Sequence, residues 1–168
     1  VINEIGRAYV RMESRGKIMN DSTFNSAEYF QKIYARPVIL ETKRLSQVFK
    51  HGKTERTVLN QLDLKIHKRE FICVIGPSGC GKSTLSRVIA GLDPYHSGEI
   101  LVDGEAITGP SPERGMVFQG YTLFPWKTVK ENVMFGPRMK GASQMTAEAN
   151  AREWINIIGL DKYENQYP

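Results

Sequence analysis

The sequence predicts an α/β fold, and three features of the chain lead to this prediction. The apolar run at residues 71–75 has the length of a buried strand. A glycine-rich loop follows it, and apolar residues from Leu85 to Leu92 then recur with the spacing of one helical face. The pair Asp103-Gly104, between two short apolar segments, is a signal for a tight β-hairpin.

The composition is that of a globular domain with a core of its own. The 168 residues are 40% hydrophobic and 24% charged, and no apolar run approaches the roughly 18–20 residues of a membrane span. The N-terminus shows no signal-peptide pattern. The net charge of +5 suits a phosphate ligand, an anionic membrane surface or nucleic acid. Because the basic residues are dispersed, nucleic acid is not expected as a partner. Cys73 and Cys80 lack a metal-binding spacing and favour a reduced compartment.

The elements before the glycine-rich loop divide the chain at Pro37. Residues 1–37 show little periodicity and predict an N-terminal extension or linker with one short helix. Residues 38–49 predict a strand, and the alternation of apolar and polar residues at 62–66 predicts a half-buried one. A domain is therefore expected over residues 38–168.

The elements after the hairpin become helical. A short apolar strand is predicted at 115–119, and a short helix at 128–135 is ended by a glycine-proline pair. A further helix has Thr146 as its predicted N-cap. Its apolar stripe places Trp154 in the helix core, and Gly159 suits the C′ position.

The glycine-rich loop carries the chemistry. Residues 76–84 read GPSGCGKST and fit the pattern G-x-x-x-x-G-K-[ST] of a phosphate-binding P-loop. Such a loop at a helix N-terminus offers free N–H groups and the positive end of the helix dipole to a triphosphate. The alternative is a glycine-rich turn that happens to precede a lysine. The strand before the loop and the helix after it argue against that alternative.

The residue types in the loop have separate physical roles. Gly76, Gly79 and Gly81 permit positive φ and close backbone approach, so successive N–H groups can form an anion-binding nest. The Lys82 ammonium can reach the β- and γ-phosphates, and the Ser83 hydroxyl can ligate Mg²⁺. Several charge-assisted hydrogen bonds, each worth ~1.5–3 kcal/mol, can together hold a nucleotide.

Other segments resemble the ATP-binding cassette (ABC) ATPases. The segments PERGMVFQ at 112–119 and LFPWKTVKENV at 123–133 resemble the Q-loop region of that family. The P-loop, the SGEILVDG at 97–104 and the aromatic Phe49 resemble the same family. The resemblance covers about residues 38–168. The two Q-loop segments are most similar to those of importers of nitrate, sulfonate, taurine and related small molecules.

This resemblance implies a P-loop NTPase fold, with a mixed sheet, an antiparallel β portion and the start of a helical subdomain. It also implies ATP and Mg²⁺ as ligands. Phe49 would stack on adenine, and Ser83 and Gln119 would contact the metal. Lys82 and Gln119 would act in catalysis. The residues implied to bind ATP are Phe49, Gly76, Pro77, Ser78, Gly79, Cys80, Gly81, Lys82, Ser83 and Thr84.

The function implied by the resemblance is that of the ATP-binding subunit of an ABC importer. Such a subunit hydrolyses ATP as a dimer with a second ATPase subunit, and is cytoplasmic and peripheral at the inner face of the cell membrane. Residues 124–128 would lie near the membrane permease subunits. Two alternatives stay open: a nucleotide-binding fragment without activity, and a soluble ABC ATPase outside transport. The aromatic stretch at 124–126 favours the transporter branch over the second alternative.

The sequence departs from the family pattern in two ways. Arg69 stands where the family usually has glycine, and a positive φ would cost arginine about 1 kcal/mol, so this turn is expected to differ. The Leu-Ser-Gly-Gly-Gln signature and the Asp-Glu that ends a Walker B strand do not occur in the 168 residues. We therefore expect a truncated or partial domain without hydrolysis of its own, in which the strand at 71–75 has an unpaired edge.

Overall fold

A computed structural model describes residues 26–52 and 54–168 of the chain. These residues form two compact units, the first extending to Met116 and the second comprising Val117–Pro168. The helices are α1 (Ser26–Tyr34), α2 (Lys82–Ile89), α3 (Val129–Met139) and α4 (Gln144–Ile157), followed by a 3₁₀ turn at Asp161–Tyr163. The strands are β1 (Val38–His51), β2 (Thr54–His67), β3 (Ser97–Val102) and β4 (Glu105–Ala106). The first 25 residues of the predicted extension lie outside the described residues.

The first unit contains a four-stranded antiparallel sheet in the order β2-β1-β3-β4. The long ladder between β1 and β2 runs from the pair Val38 and His67 to the pair His51 and Thr54. The predicted hairpin joins β3 to β4. Its turn residues Asp103 and Gly104 both have positive φ, of 50° and 86°, as a type I′ turn requires. The sheet therefore contains the antiparallel portion that was predicted.

The core of the first unit lies between this sheet and α2. Burial of each large apolar side chain contributes roughly 1.5–3 kcal/mol, so the packing fixes α2 firmly against the sheet. The side chains of this cluster are 2% exposed or less, and they are Leu45, Leu59, Leu62, Leu85, Val88 and Ile100. Two of them, Leu85 and Val88, come from α2. Their position confirms the predicted apolar face of the helix.

The apolar run at 71–75 is not a strand in the part of the chain that the structure describes, and that prediction is wrong. It has no ladder with any of the four strands. Phe71 and Ile75 are 62% and 72% exposed, while Val74 packs against the core. A strand requires hydrogen bonds to a neighbour, and no described strand lies beside this run. The predicted strand at 115–119 is also absent.

The turn between β2 and the apolar run has a left-handed residue. Arg69 has φ of 61°, so the expectation that arginine would change this turn is wrong. The turn is held by Glu70, whose side chain is fully buried. Its Oε2 accepts the His67 N–H at 2.7 Å and lies 3.2 Å from His67 Nδ1. Arg36 also donates to the carbonyl of Lys68 at 3.2 Å. These contacts offset the backbone strain.

The second unit has its own small core between α3 and α4. The buried residues of this core are Met134, Ala147 and Ala151. The first helix runs through its glycine-proline pair to Met139, so its predicted end at 135 is wrong. None of the helices within residues 26–52 and 54–168 has the length and apolar character needed to cross a membrane.

The ends of α4 are set by capping residues. Ser143 is the N-cap, and its hydroxyl accepts the Thr146 N–H at 3.1 Å. The prediction that Thr146 caps the helix is therefore wrong by one turn. At the other end Gly159 has φ of 72° and occupies the C′ position, as predicted. The Trp154 side chain is 60% exposed, so its predicted place in the core is also wrong.

Candidate nucleotide-binding site

The glycine-rich loop at 76–84 has the left-handed residues that an anion-binding nest needs. Gly79 and Gly81 have φ of 75° and 114°. Gly81 is the N-cap of α2, and its carbonyl accepts the Leu85 N–H at 2.9 Å. Gly76 does not have a positive φ, and a Cβ there would lie 2.8 Å from the Cys80 Sγ, so a larger residue would require the Cys80 side chain to shift. Positive φ is thus confirmed at two of the three glycines.

The N-terminus of α2 presents unpaired backbone donors. The first intrahelical bond of α2 is the one made by Leu85, so the N–H groups of Lys82, Ser83 and Thr84 precede the helical ladder. The first turn carries no acidic residue, and the loop at 75–79 is exposed. An anion placed here meets these donors and the positive end of the helix dipole.

The Lys82 ammonium lies across the loop. Its Nζ donates to the carbonyl of Gly76 at 2.7 Å and to the carbonyl of Pro77 at 2.8 Å. It is 3.6 Å from the Cys80 Sγ. The two carbonyls hold the charge at the mouth of the loop, where phosphate oxygens could replace them as stronger, charged acceptors.

The Ser83 hydroxyl fits the role of a magnesium ligand. Ser83 is exposed in the first turn of α2, and its hydroxyl has no hydrogen-bond partner among the described residues. Mg²⁺ in nucleotide sites takes most of its ligands from phosphates and water, with only one or two from the protein. Across residues 26–52 and 54–168 no group of three or more His, Cys, Asp or Glu could hold a metal alone. A single hydroxyl beside a phosphate loop matches this mode of binding.

The far end of α2 is held by an ion pair that the sequence analysis missed. Arg87 Nε and Nη2 donate to the two carboxylate oxygens of Asp93, both at 2.7 Å. The hydrogen bond from Arg87, together with its charge, holds the pKa of Asp93 below its ordinary value against the opposing effect of partial burial. Between them Gly91 has φ of 77°, and a Cβ there would collide with the carbonyl of Gly109. The sequence did carry a signal for this ion pair. It is a basic residue in the last helical turn, followed by glycine and aspartate.

Phe49 and Arg56 lie opposite each other on the β1–β2 ladder. The Phe49 side chain is 45% exposed, so its ring is accessible for stacking. Arg56 Nη2 donates to the carbonyl of Gly79 at 3.3 Å. The strand paired with that of Phe49 is thus linked to the P-loop through Arg56, a residue that the sequence pattern did not single out.

Gln119 lies in the second unit, exposed and outside any helix or strand. The following segment, residues 124–128, is held by one side chain. Asn132 accepts the Phe124 N–H at 2.8 Å and donates to the carbonyls of Phe124, Lys127 and Thr128 at 3.0–3.1 Å. This clamp leaves Trp126 70% exposed.

A capping box fixes the start of the next helix. Thr128 caps α3 with Glu131, whose side chain accepts the Thr128 N–H at 2.8 Å. This hydrogen bond lowers the pKa of the Glu131 carboxyl. The predicted helix start at Thr128 lies one residue before α3, whereas the role of Asn132 in shaping the preceding segment was not predicted.

Comparison with known proteins gives a consistent result. A family model described as "ABC transporter" matches residues 59–168. The nitrate import ATP-binding protein NrtD of Synechocystis is 45% identical over 129 residues, 77% of this chain and 48% of that protein. The aliphatic sulfonates import ATP-binding protein SsuB of Bacillus cereus is 45% identical over 119 residues, 70% of this chain and 46% of that protein.

A solved structure agrees with the family match. The ATP-binding cassette MJ0796, solved as a dimer in a post-hydrolysis state bound to ADP and Pi, is 28% identical with a TM-score of 0.69. The match covers 77% of this chain and 62% of that one. The α/β fold class is thereby confirmed. The chain spans about half the length of the curated relatives it matches.

Proposed function

Since the chain belongs to the ABC transporter ATP-binding domain family, we propose that it binds ATP with Mg²⁺ at residues 76–84 as part of an importer. The observation that carries the proposal is the geometry of the P-loop. Two left-handed glycines lead into the free N–H groups of α2, and the Lys82 ammonium lies across the same loop. A compact polyanion is the ligand that this arrangement recognises.

Each side chain in the site has a proposed task. The loop from Gly76 to Thr84 wraps the phosphates, with Lys82 on the β- and γ-phosphates. Ser83 supplies its hydroxyl to Mg²⁺, which neutralises phosphate charge when it is bound. Phe49 stacks on adenine through its exposed ring. For Gln119, which belongs to the second unit, a role at the metal or the attacking water stays a prediction from its place in the motif after the P-loop.

The importer function is supported by similarity and by one surface. The relatives named above are called nitrate and aliphatic sulfonate import proteins, so a small anionic solute of this kind is proposed. The segment 124–128 offers an exposed tryptophan on a rigidly held loop, and we assign it to the contact with membrane permease subunits. Residues 38–168 then form part of an ATPase domain that pairs with a second such domain at the cytoplasmic face of the membrane.

The experiment is isothermal titration calorimetry, which measures the affinity for ATP in the presence of Mg²⁺ for the wild-type chain and for Lys82→Ala. Loss of two charge-assisted hydrogen bonds, at ~1.5–3 kcal/mol each, predicts a loss of affinity of at least about a hundredfold. Lys50→Ala is the matched control, because Lys50 is an exposed lysine of the same unit that pairs with Glu55. It should leave ATP affinity within about twofold of wild type. Equal affinity of Lys82→Ala and wild type would overturn the proposed site.

A further inference from the structure

We propose that Arg56 is a second cationic contact for the phosphate chain of the nucleotide, in addition to Lys82. This inference rests on the proposed function and deepens it, because it names a residue of the same site that the P-loop pattern does not contain. Three observations on the first unit support it. They are the register of the β1–β2 ladder, the contact of Arg56 with the P-loop, and the ion pairs that the lysines of the sheet make and Arg56 does not.

The register places Arg56 on the face of the ladder that carries Phe49. In the ladder between β1 and β2, Phe49 pairs with Arg56, Lys50 with Glu55 and His51 with Thr54. Side chains of directly opposed residues in an antiparallel pair project from the same face of the sheet. Arg56 and Phe49 therefore project together from one face of the ladder.

The contact places the guanidinium over the P-loop. Arg56 Nη2 donates to the carbonyl of Gly79 at 3.3 Å, and a Cβ built on Gly79 would lie 4.0 Å from the same nitrogen. Gly79 is one of the two left-handed glycines of the nest. A group that already touches this residue lies beside the phosphates of any nucleotide held by the loop. The Arg56 guanidinium therefore lies within reach of the phosphate chain.

The ion pairs show that Arg56 differs from three lysines of the sheet. Lys43, Lys50 and Lys65 each have a carboxylate partner, at 3.6, 2.7 and 3.1 Å. Arg56 has no carboxylate partner among residues 26–52 and 54–168. Its described acceptor is a neutral carbonyl, which uses one of the five N–H donors of a guanidinium. Phosphate oxygens are charged and match the planar fork of arginine, so they are the stronger acceptors.

The test is a titration of the full chain with ATP, ADP and GTP in the presence of Mg²⁺. The variants are Arg56→Ala, Arg56→Lys and the control Lys65→Ala, which removes an exposed cation of the same strand. For Arg56→Ala we expect affinity to fall about tenfold for ATP, equivalent to ~1.4 kcal/mol, with equal losses for ADP and GTP. Arg56→Lys should recover part of the loss, since it keeps the charge without the fork. Lys65→Ala should bind like wild type.

Two further readouts separate a phosphate contact from a structural role. The affinity of Arg56→Ala should depend less steeply on salt than that of wild type, because one cation has left the site. The thermal midpoint without nucleotide should stay unchanged in Arg56→Ala, because the side chain is exposed. Wild-type ATP affinity in Arg56→Ala, or a loss for ATP that GTP does not share, would overturn the inference while leaving the P-loop site intact. No ATP binding by the wild-type chain would overturn the proposed function and the inference together.

Discussion

Replacing Arg69 by glycine should stabilise the protein, although it removes a side chain. Arg69 has φ of 61° in the turn after β2, a conformation that favours glycine. Its side chain is exposed and makes no hydrogen bond with any described residue, whereas its carbonyl accepts from Arg36 at 3.5 Å. A glycine at this position still has the backbone carbonyl and can accept the same hydrogen bond. The substitution therefore relieves strain without removing a contact that the structure describes.

The magnitude follows from two opposing effects. A left-handed φ costs a residue with a side chain roughly 1–2 kcal/mol. Glycine removes this cost. It also increases the conformational entropy of the unfolded chain, which lowers the free energy of unfolding by about 0.4–1 kcal/mol. The expected net gain in the free energy of unfolding is about 0.5–1 kcal/mol. For a chain of this size that raises the midpoint of thermal unfolding by roughly 1–4 °C.

Urea unfolding followed by far-ultraviolet circular dichroism is the appropriate assay. Both tryptophans, Trp126 and Trp154, lie in the second unit, so tryptophan fluorescence would not report on the turn. Lys68→Gly is the matched control, because Lys68 lies in the same turn but is not left-handed. The control should lose stability, since only the unfolded-state effect remains. A loss of stability in Arg69→Gly equal to that of the control would refute the reasoning.

Two other predictions concern the support of α2. Gly91→Ala should lower the free energy of unfolding by about 2–4 kcal/mol, because alanine there has both a positive φ and a backbone collision with Gly109. Gly52→Ala, at φ of 60° with no described atom close to the added Cβ, should lose only the φ cost less the unfolded-state effect, a net of about 0.5–1 kcal/mol in urea unfolding, and equal losses at the two glycines would contradict the collision. Asp93 has a lowered folded-state pKa, so its contribution to stability is present above its unfolded pKa and lost as pH falls through the folded value. Asp93→Asn should therefore be less stable than wild type at neutral pH, with the difference shrinking below about pH 4; a difference that stayed constant to pH 2.5 would exclude this linkage.

The features that could be predicted from the sequence are those set by local chemistry. Positive φ at Gly79 and Gly81, the hairpin turn at 103–104 and the C′ role of Gly159 all follow from what glycine and aspartate permit in the backbone. The apolar face of α2 follows from helical spacing, and its burial confirms it. These predictions needed no knowledge of what lies far along the chain.

The features that could not be predicted depend on distant partners. The run at 71–75 has the composition of a buried strand, but a strand exists only where a neighbouring strand completes its ladder, and the described sheet supplies none. Trp154 fits a helical apolar stripe, yet α3 covers only the face of α4 that carries Ala147 and Ala151. Arg56 and Asn132 act through contacts with backbone at other positions, which leave no periodic signal.

The phosphate loop keeps its shape although the run before it has no strand partner. Its conformation is set by the left-handed glycines Gly79 and Gly81, and by the Leu85 N–H that begins the helical ladder. The axis of α2 is fixed separately, by burial of Leu85 and Val88 against the sheet. None of these determinants involves a ladder hydrogen bond from 71–75. Binding of a nucleotide by the loop should therefore depend on the packing of α2 on the antiparallel sheet, and changes in that packing should affect affinity more than changes at the exposed Phe71 and Ile75 side chains.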